Sequence, residues 1–147
     1  GIGLLDLAIH RALDADLHLI DIETTPERYH LYADKGAGYA NLATARAMLL
    51  RNGVPEGRLR TTNPRREQLE DGTYDVIVSL LAMGFHFPCD TYHAFIKASL
   101  APGGVCIFDH RKGSDQDAFL AIFDRVDVIH DLPRSRRLVC RMSHGGG

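Results

Sequence analysis

Four residues near the amino end carry the first chemical signal: Gly1, Gly3, Asp21 and Glu23. A Gly-x-Gly pair lets the backbone turn tightly and approach a ligand closely. A carboxylate at the end of a strand can accept both hydroxyls of a ribose. Asp21 stands eighteen residues past Gly3, close to the spacing of about 20 between a glycine turn and a ribose-binding acid. Glu23 competes for that role, because strand ends shift by a residue or two. A dinucleotide fingerprint would also need Gly-x-Gly-x-x-Gly/Ala. Counted from Gly1 the last place holds Asp6, and counted from Gly3 the last place holds Ala8 but residue 5 is not a glycine, so that pattern fails. The plain alternatives are a bare terminal tail for the glycines and a solvated strand end or helix cap for Asp21.

Other residue groupings have weaker chemistry. His86, Cys89 and His93 place three donors within eight positions, but no second Cys/His pair completes a closed zinc site, and a helix surface explains them. We expect no metal. Arg58, Arg60, Arg65 and Arg66 form one basic cluster, and Arg134, Arg136 and Arg137 another. Either suits a phosphate or an RNA backbone, while Glu67, Glu70 and Asp71 beside the first favour a solvated face.

The elements that must position these residues follow from periodicity. Leu4, Leu5, Ala8, Ile9, Ala12 and Leu13 recur at helical spacing, which predicts a helix over about 3–14. A short strand follows at Leu17-His-Leu-Ile-Asp-Ile. Residues 24–38 read as loop, with Thr-Thr-Pro and Gly36-Ala-Gly38. Alanine and leucine predict a helix over 39–52, stopped by Asn52-Gly53. Residues 57–63 make a weak strand before a turn at Pro64. The run over 74–81 is almost wholly apolar, as in a strand covered on both faces. A Gly/Pro loop (83–88), a helix (90–100), a sharp Ala101-Pro-Gly-Gly104 turn and a buried strand (105–108) come next. A helix over 116–125 and two closing strands, 126–129 and 137–141, complete the pattern. Alternating strands and helices predict an α/β fold, a three-layer sheet with helices on both faces. The short last connection makes the final strand antiparallel.

The chain has 147 residues, 45% hydrophobic and 24% charged, with a formal net charge of -2. This fits one domain over 1–142 with a disordered tail at 143–147, and implies no general attraction to nucleic acid or anionic lipid. Cys106 and Cys140 lie in apolar runs and read as buried thiols of a reducing, cytoplasmic compartment, whereas Cys89 lies in a loop. No stretch is apolar enough to span a membrane.

This order of elements resembles the class I S-adenosylmethionine-dependent methyltransferases over nearly the whole chain. Gly1-Ile-Gly3 looks like the later part of that family's glycine-rich first motif, and Asp21 like its acidic second motif. Residues 74–81 resemble the fourth strand. Leu100-Ala-Pro-Gly-Gly-Val-Cys-Ile-Phe-Asp109 resembles the L-x-P-G-G turn and fifth strand, and the closing strands resemble the reversed hairpin. Gly84-Phe-His-Phe-Pro88 with Tyr92 is similar to a segment of bacterial sugar O-methyltransferases. The family's first, central strand has no counterpart ahead of Gly1. Three outcomes are open: the remaining strands pair directly, another chain supplies the strand in a homo-oligomer, or the cofactor is held poorly.

The resemblance implies a Rossmann-like sheet, S-adenosylmethionine as cofactor, and methyl transfer to a small-molecule hydroxyl, a sugar among the candidates. It implies cofactor contacts at Gly1, Gly3, Asp21 or Glu23, an adenine contact at Asn63, and a pocket lined by Ser79, Leu80 and Leu81. Asn63 as a plain turn residue and the three strand-end residues as core are the structural alternatives. His86, just beyond the fourth strand, is the candidate general base, since histidine as a residue type ordinarily titrates near working pH; Asp109 and His110 are second choices. Two other readings stay open: a non-catalytic assembly module, and an RNA methyltransferase using the arginine clusters.

Overall fold

The computed structural model describes residues 2–23, 41–70, 72–85, 89–113 and 117–142, without the side chains of residues 89 and 90. They gather into two compact units, divided near residue 70.

The first unit is a βαβ arrangement preceded by a helix. Helix α1 (Leu4–Leu13) leads into strand β1 (Leu17–Ile20), and helix α2 (Leu42–Arg51) leads through a 3₁₀ turn (Glu56–Arg58) into strand β2 (Leu59–Thr62). The strands are parallel, with Leu17 opposite Leu59 and Ile20 opposite Thr62. Alternation in β1 turns Leu17 and Leu19 inward, where they join Leu7, Leu42, Ala45, Leu49, Val54 and Leu59. The expected apolar face of α1 is corrected here: Leu4, Leu5 and Leu13 are exposed and Leu7 is the buried residue. The contact face runs from Gly3 to Leu7, one turn apart, so the flanking leucines point away. Helix α2, expected over 39–52, starts at Leu42, with Asn41 as its extended cap. The Asn41 side chain accepts from Ala43 N at 2.7 Å and Thr44 N at 3.3 Å, satisfying donors that the helix leaves unpaired. It ends at Asn52, followed by Gly53 with φ 90°, a left-handed stop.

The second unit is a four-stranded sheet in the order β3-β4-β6-β5. Strand β3 (Tyr74–Ser79) runs parallel to β4 (Leu100–Arg111), while β6 (Ser135–Arg141) is antiparallel to both β4 and β5 (Arg125–Asp131). A 3₁₀ turn (Cys89–Tyr92), helix α3 (His93–Ser99) and a single helical turn α4 (Asp117–Leu120) complete it. Met83, Ile96, Phe119 and Phe123 cluster with Cys106, Phe108, Leu138 and Cys140 of β4 and β6. Phe119 meets Phe108 edge-on at 5.2 Å and Phe123 at 5.3 Å, a favourable geometry for rings. Cys106 and Cys140 are buried and directly opposed on neighbouring strands.

Three expectations change. Ala101-Pro-Gly-Gly104 does not precede the strand but bulges within it. Tyr74 pairs with Leu100 and Val76 with Val105, so Asp75 alone on β3 faces the four residues 101–104 of β4. A Cβ on Gly104 would lie 2.9 Å from Ala101 O and 3.1 Å from Asp75 O, which requires glycine. The helix expected over 116–125 stops at Leu120, because Asp124 N donates to Arg141 O at 2.9 Å and draws the chain into the sheet. Val76, Ile77 and Val78 are half-buried rather than covered on both faces, since β3 is an edge strand among the described residues.

The described strands thus form two sheets, of two and four strands. The α/β architecture, parallel except for its antiparallel last strand, is as expected.

Candidate cofactor site

The carboxyl ends of β1 and β2 carry three of the expected site residues. Asp21 N donates to Thr62 O at 3.2 Å and prolongs the strand pairing by one residue. Asp21 Oδ1 then accepts from Glu23 N at 2.7 Å, the local turn that aspartate side chains favour. Glu23 takes a left-handed φ of 63°, which turns its carboxylate back onto the unit. Its Oε1 accepts from Leu42 N at 2.9 Å and its Oε2 from Asn63 Nδ2 at 2.7 Å, with Arg66 at 3.5 Å. These donors, Asn63 first and then the Leu42 amide, hold the Glu23 carboxyl below its ordinary range.

Asn63 is buried, and its amide serves the protein. Besides Glu23 it meets Ile22 O at 3.5 Å, and its Oδ1 accepts from Arg65 N at 3.0 Å. Each Glu23 oxygen has a short protein donor, so Glu23 acts as an anchor tying β1, β2 and the start of α2 together. Asp21 sits on that anchor. The expected adenine contact through Asn63 would have to displace one of these bonds. His18 adds a further link, with Nε2 at 2.8 Å from Thr62 Oγ1.

Gly1 lies outside the described residues. Gly3 caps α1 with φ 86° and accepts from Leu7 N at 2.9 Å. A Cβ there would lie 3.1 Å from Met48 Cε and 3.3 Å from Leu49 Cγ. Glycine at position 3 therefore has a packing reason of its own: it lets α1 begin against α2.

In the second unit, Ser79 closes β3 and its Oγ accepts from Met83 N at 3.0 Å. Leu80 is half-buried; Leu81 is exposed with φ 55°. Leu81 N donates to Asp109 Oδ2 at 3.0 Å. Asp109 is buried and also receives Arg137 Nε at 2.8 Å and Nη2 at 3.2 Å. A two-pronged guanidinium and a backbone donor thus occupy both oxygens of this carboxylate. His110 is half-buried, and burial, followed by the nearby Arg136 charge, lowers its pKa.

His86 and the Cys89 side chain lie outside the described residues. His93 packs edge-on against Phe119 at 6.2 Å, as part of the aromatic core. The first arginine cluster is engaged by acids: Arg58 with Asp14 and Asp16, Arg60 with Glu70 at 2.7 Å, and Arg66 with Glu23. Sequence reasoning missed the pairing of Asp109 with Arg137. The signal was an acid closing one apolar run and a base opening another, but their opposition depends on strand register.

No protein-family model matches the chain, and no curated protein matches it significantly. Solved structures do. A candidate methyltransferase from Thermoplasma acidophilum superposes with a TM-score of 0.58 at 14% identity, covering 99% of this chain and 66% of that one. Human methyltransferase-like protein 13, in complex with S-adenosylhomocysteine, superposes with a TM-score of 0.58 at 16% identity, covering 97% of this chain and 68% of that one. The chain spans about two thirds of the length of each. The element order, the antiparallel last strand and these superpositions agree: the chain has the fold of the class I methyltransferases.

Proposed function

We propose that the chain is the cofactor-holding part of an S-adenosylmethionine-dependent methyltransferase acting on a small-molecule hydroxyl, with sugars as the narrower class. The observation that carries this reading is Asp21, set by Glu23 and Asn63 at the carboxyl ends of adjacent parallel strands in a methyltransferase fold. Ligands of open α/β sheets bind at that end.

Bound, S-adenosylmethionine supplies an electrophilic methyl group on a sulfonium. The chain supplies position. Asp21 would accept hydrogen bonds from the ribose hydroxyls, and Gly1 and Gly3 would let the backbone come close to the cofactor. His86 would be the base for the acceptor hydroxyl's proton, an orientation-plus-base mechanism in which the cofactor would supply the methyl group and leave as S-adenosylhomocysteine.

Calorimetry with S-adenosylhomocysteine tests this. Charge-assisted hydrogen bonds are worth about 1.5–3 kcal/mol, so Asp21→Ala should weaken binding roughly 10- to 100-fold. Equal affinity in both proteins would remove Asp21 from the site. A second reading, a non-catalytic assembly module, draws on the division of the strands into two sheets. Absence of any cofactor heat in the unmodified chain would select it.

A further inference from the structure

The first amides of an α-helix need acceptors from outside the helix. In α2, Asn41 takes those of Ala43 and Thr44. The amide of Leu42 goes instead to Glu23 Oε1 at 2.9 Å, nineteen residues back along the chain. Glutamate does not favour a left-handed backbone, yet Glu23 has φ 63°. Its own side chain, 13% exposed, holds it there. While Oε1 serves α2, Oε2 takes Asn63 Nδ2 at 2.7 Å from the end of β2. Arg66 stands further off at 3.5 Å and is mostly exposed, where an ion pair contributes little.

The backbone amide of the same residue donates to Asp21 Oδ1 at 2.7 Å. Glu23 therefore links the start of α2, the end of β2 and the carboxylate that follows β1. Strained backbone persists only where surroundings impose it, and here two hydrogen bonds to one carboxylate impose it.

We propose that Glu23 is a positioning residue: Asn63 and the first amide of α2 grip its carboxylate, and its backbone amide in turn aims the Asp21 carboxylate at the ribose. This rests on the methyltransferase reading above. Glu23 and Asn63 act through Asp21 in this scheme, and neither is a cofactor ligand.

The Glu23–Asn63 bond has a direction that can be reversed. Asn63 Nδ2 donates to Glu23, while Asn63 Oδ1 accepts from Arg65 N. Glu23→Gln leaves one oxygen for two donors, and Asn63→Asp sets a carboxylate against a carboxylate. Together the two substitutions restore the bond with donor and acceptor exchanged, keep acceptors for Leu42 N and Arg65 N, and leave the net charge unchanged.

The test reads the dissociation constant for S-adenosylhomocysteine and, without ligand, the amide proton resonance of residue 23. Each single variant should weaken binding about tenfold, as for one hydrogen bond to a charged group, and should move the resonance. The double variant should bring both back toward the unmodified values, a coupling that independent sites do not show. Val54→Ala, a buried position beyond the far end of α2, is the control and should lose stability while keeping affinity. Should a single variant fail to fold, the double variant carries the test by folding and binding. Full affinity in both single variants, an unmoved resonance, or a double variant that binds no better than the singles overturns the proposal. A matching loss of affinity in Val54→Ala does so as well, because affinity would then merely follow stability. If the unmodified chain binds no S-adenosylhomocysteine, the methyltransferase reading falls and the proposal with it; binding that the single variants retain removes the role of Glu23 alone.

Discussion

Replacing Gly3 with alanine separates what the glycine does for the fold from what it does for a ligand. Two costs follow from its geometry. A φ of 86° is left-handed, which costs an L-residue about 1–2 kcal/mol. The new Cβ would also stand 3.1 Å from Met48 Cε and 3.3 Å from Leu49 Cγ. Leu49 is fully buried and cannot swing away, so overpacking of about 1–3 kcal/mol is added. The expected total is about 2–5 kcal/mol, a large share of the 5–15 kcal/mol that holds a typical domain. Gly53 is the internal control. Its φ is 90°, yet a Cβ there meets nothing within 4 Å, so Gly53→Ala carries the backbone cost alone. Urea unfolding followed by far-ultraviolet circular dichroism, without ligand, reads both. Gly3→Ala should lower the midpoint clearly more than Gly53→Ala at unchanged slope. Equal losses would refute the packing argument, and a Gly3→Ala loss below about 0.5 kcal/mol would refute the backbone argument too.

Two further outcomes are expected. Burial first, then the Arg60 charge, lowers the pKa of His18, and burial followed by Arg136 lowers that of His110. The unfolded chain therefore binds more protons just below the ordinary histidine value of 6.5. Stability should be full above about pH 6.5 and fall as pH drops toward the folded values. Urea midpoints between pH 5 and 7.5 measure this, and a flat profile contradicts it. Phe108 is fully buried at the centre of the aromatic cluster, so Phe108→Ala should cost about 3–5 kcal/mol; a loss under 1 kcal/mol in the same assay would contradict the placement of the core.

Much of the fold was legible in the residues. Asn52-Gly53 marked the end of α2, the apolar runs over 74–81 and 105–108 marked β3 and the middle of β4, and the short last connection required an antiparallel β6. These signals are local, and local geometry decides them. What stayed hidden depends on partners far along the chain. Leu7 is chosen as the buried face of α1 by where α2 lies. Helix α4 ends early because Asp124 finds Arg141 across the sheet. In the candidate site, the position of Asp21 just past β1 was legible from the branched run before it. The bonds of Glu23 to Asn63 and to Leu42 were not, because they require the start of α2 and the end of β2 to converge on Glu23. The Asp109–Arg137 pair was hidden for the same reason.

The central claim is that Asp21 and the Gly3 turn hold an adenosine ribose. Titrating the isotopically labelled chain with S-adenosylhomocysteine and following backbone amide resonances tests it most directly. The account predicts saturable shifts centred on Gly3, Asp21 and Ile22, abolished by Asp21→Ala. Saturable binding that shifts other amides and leaves these three unmoved would contradict it.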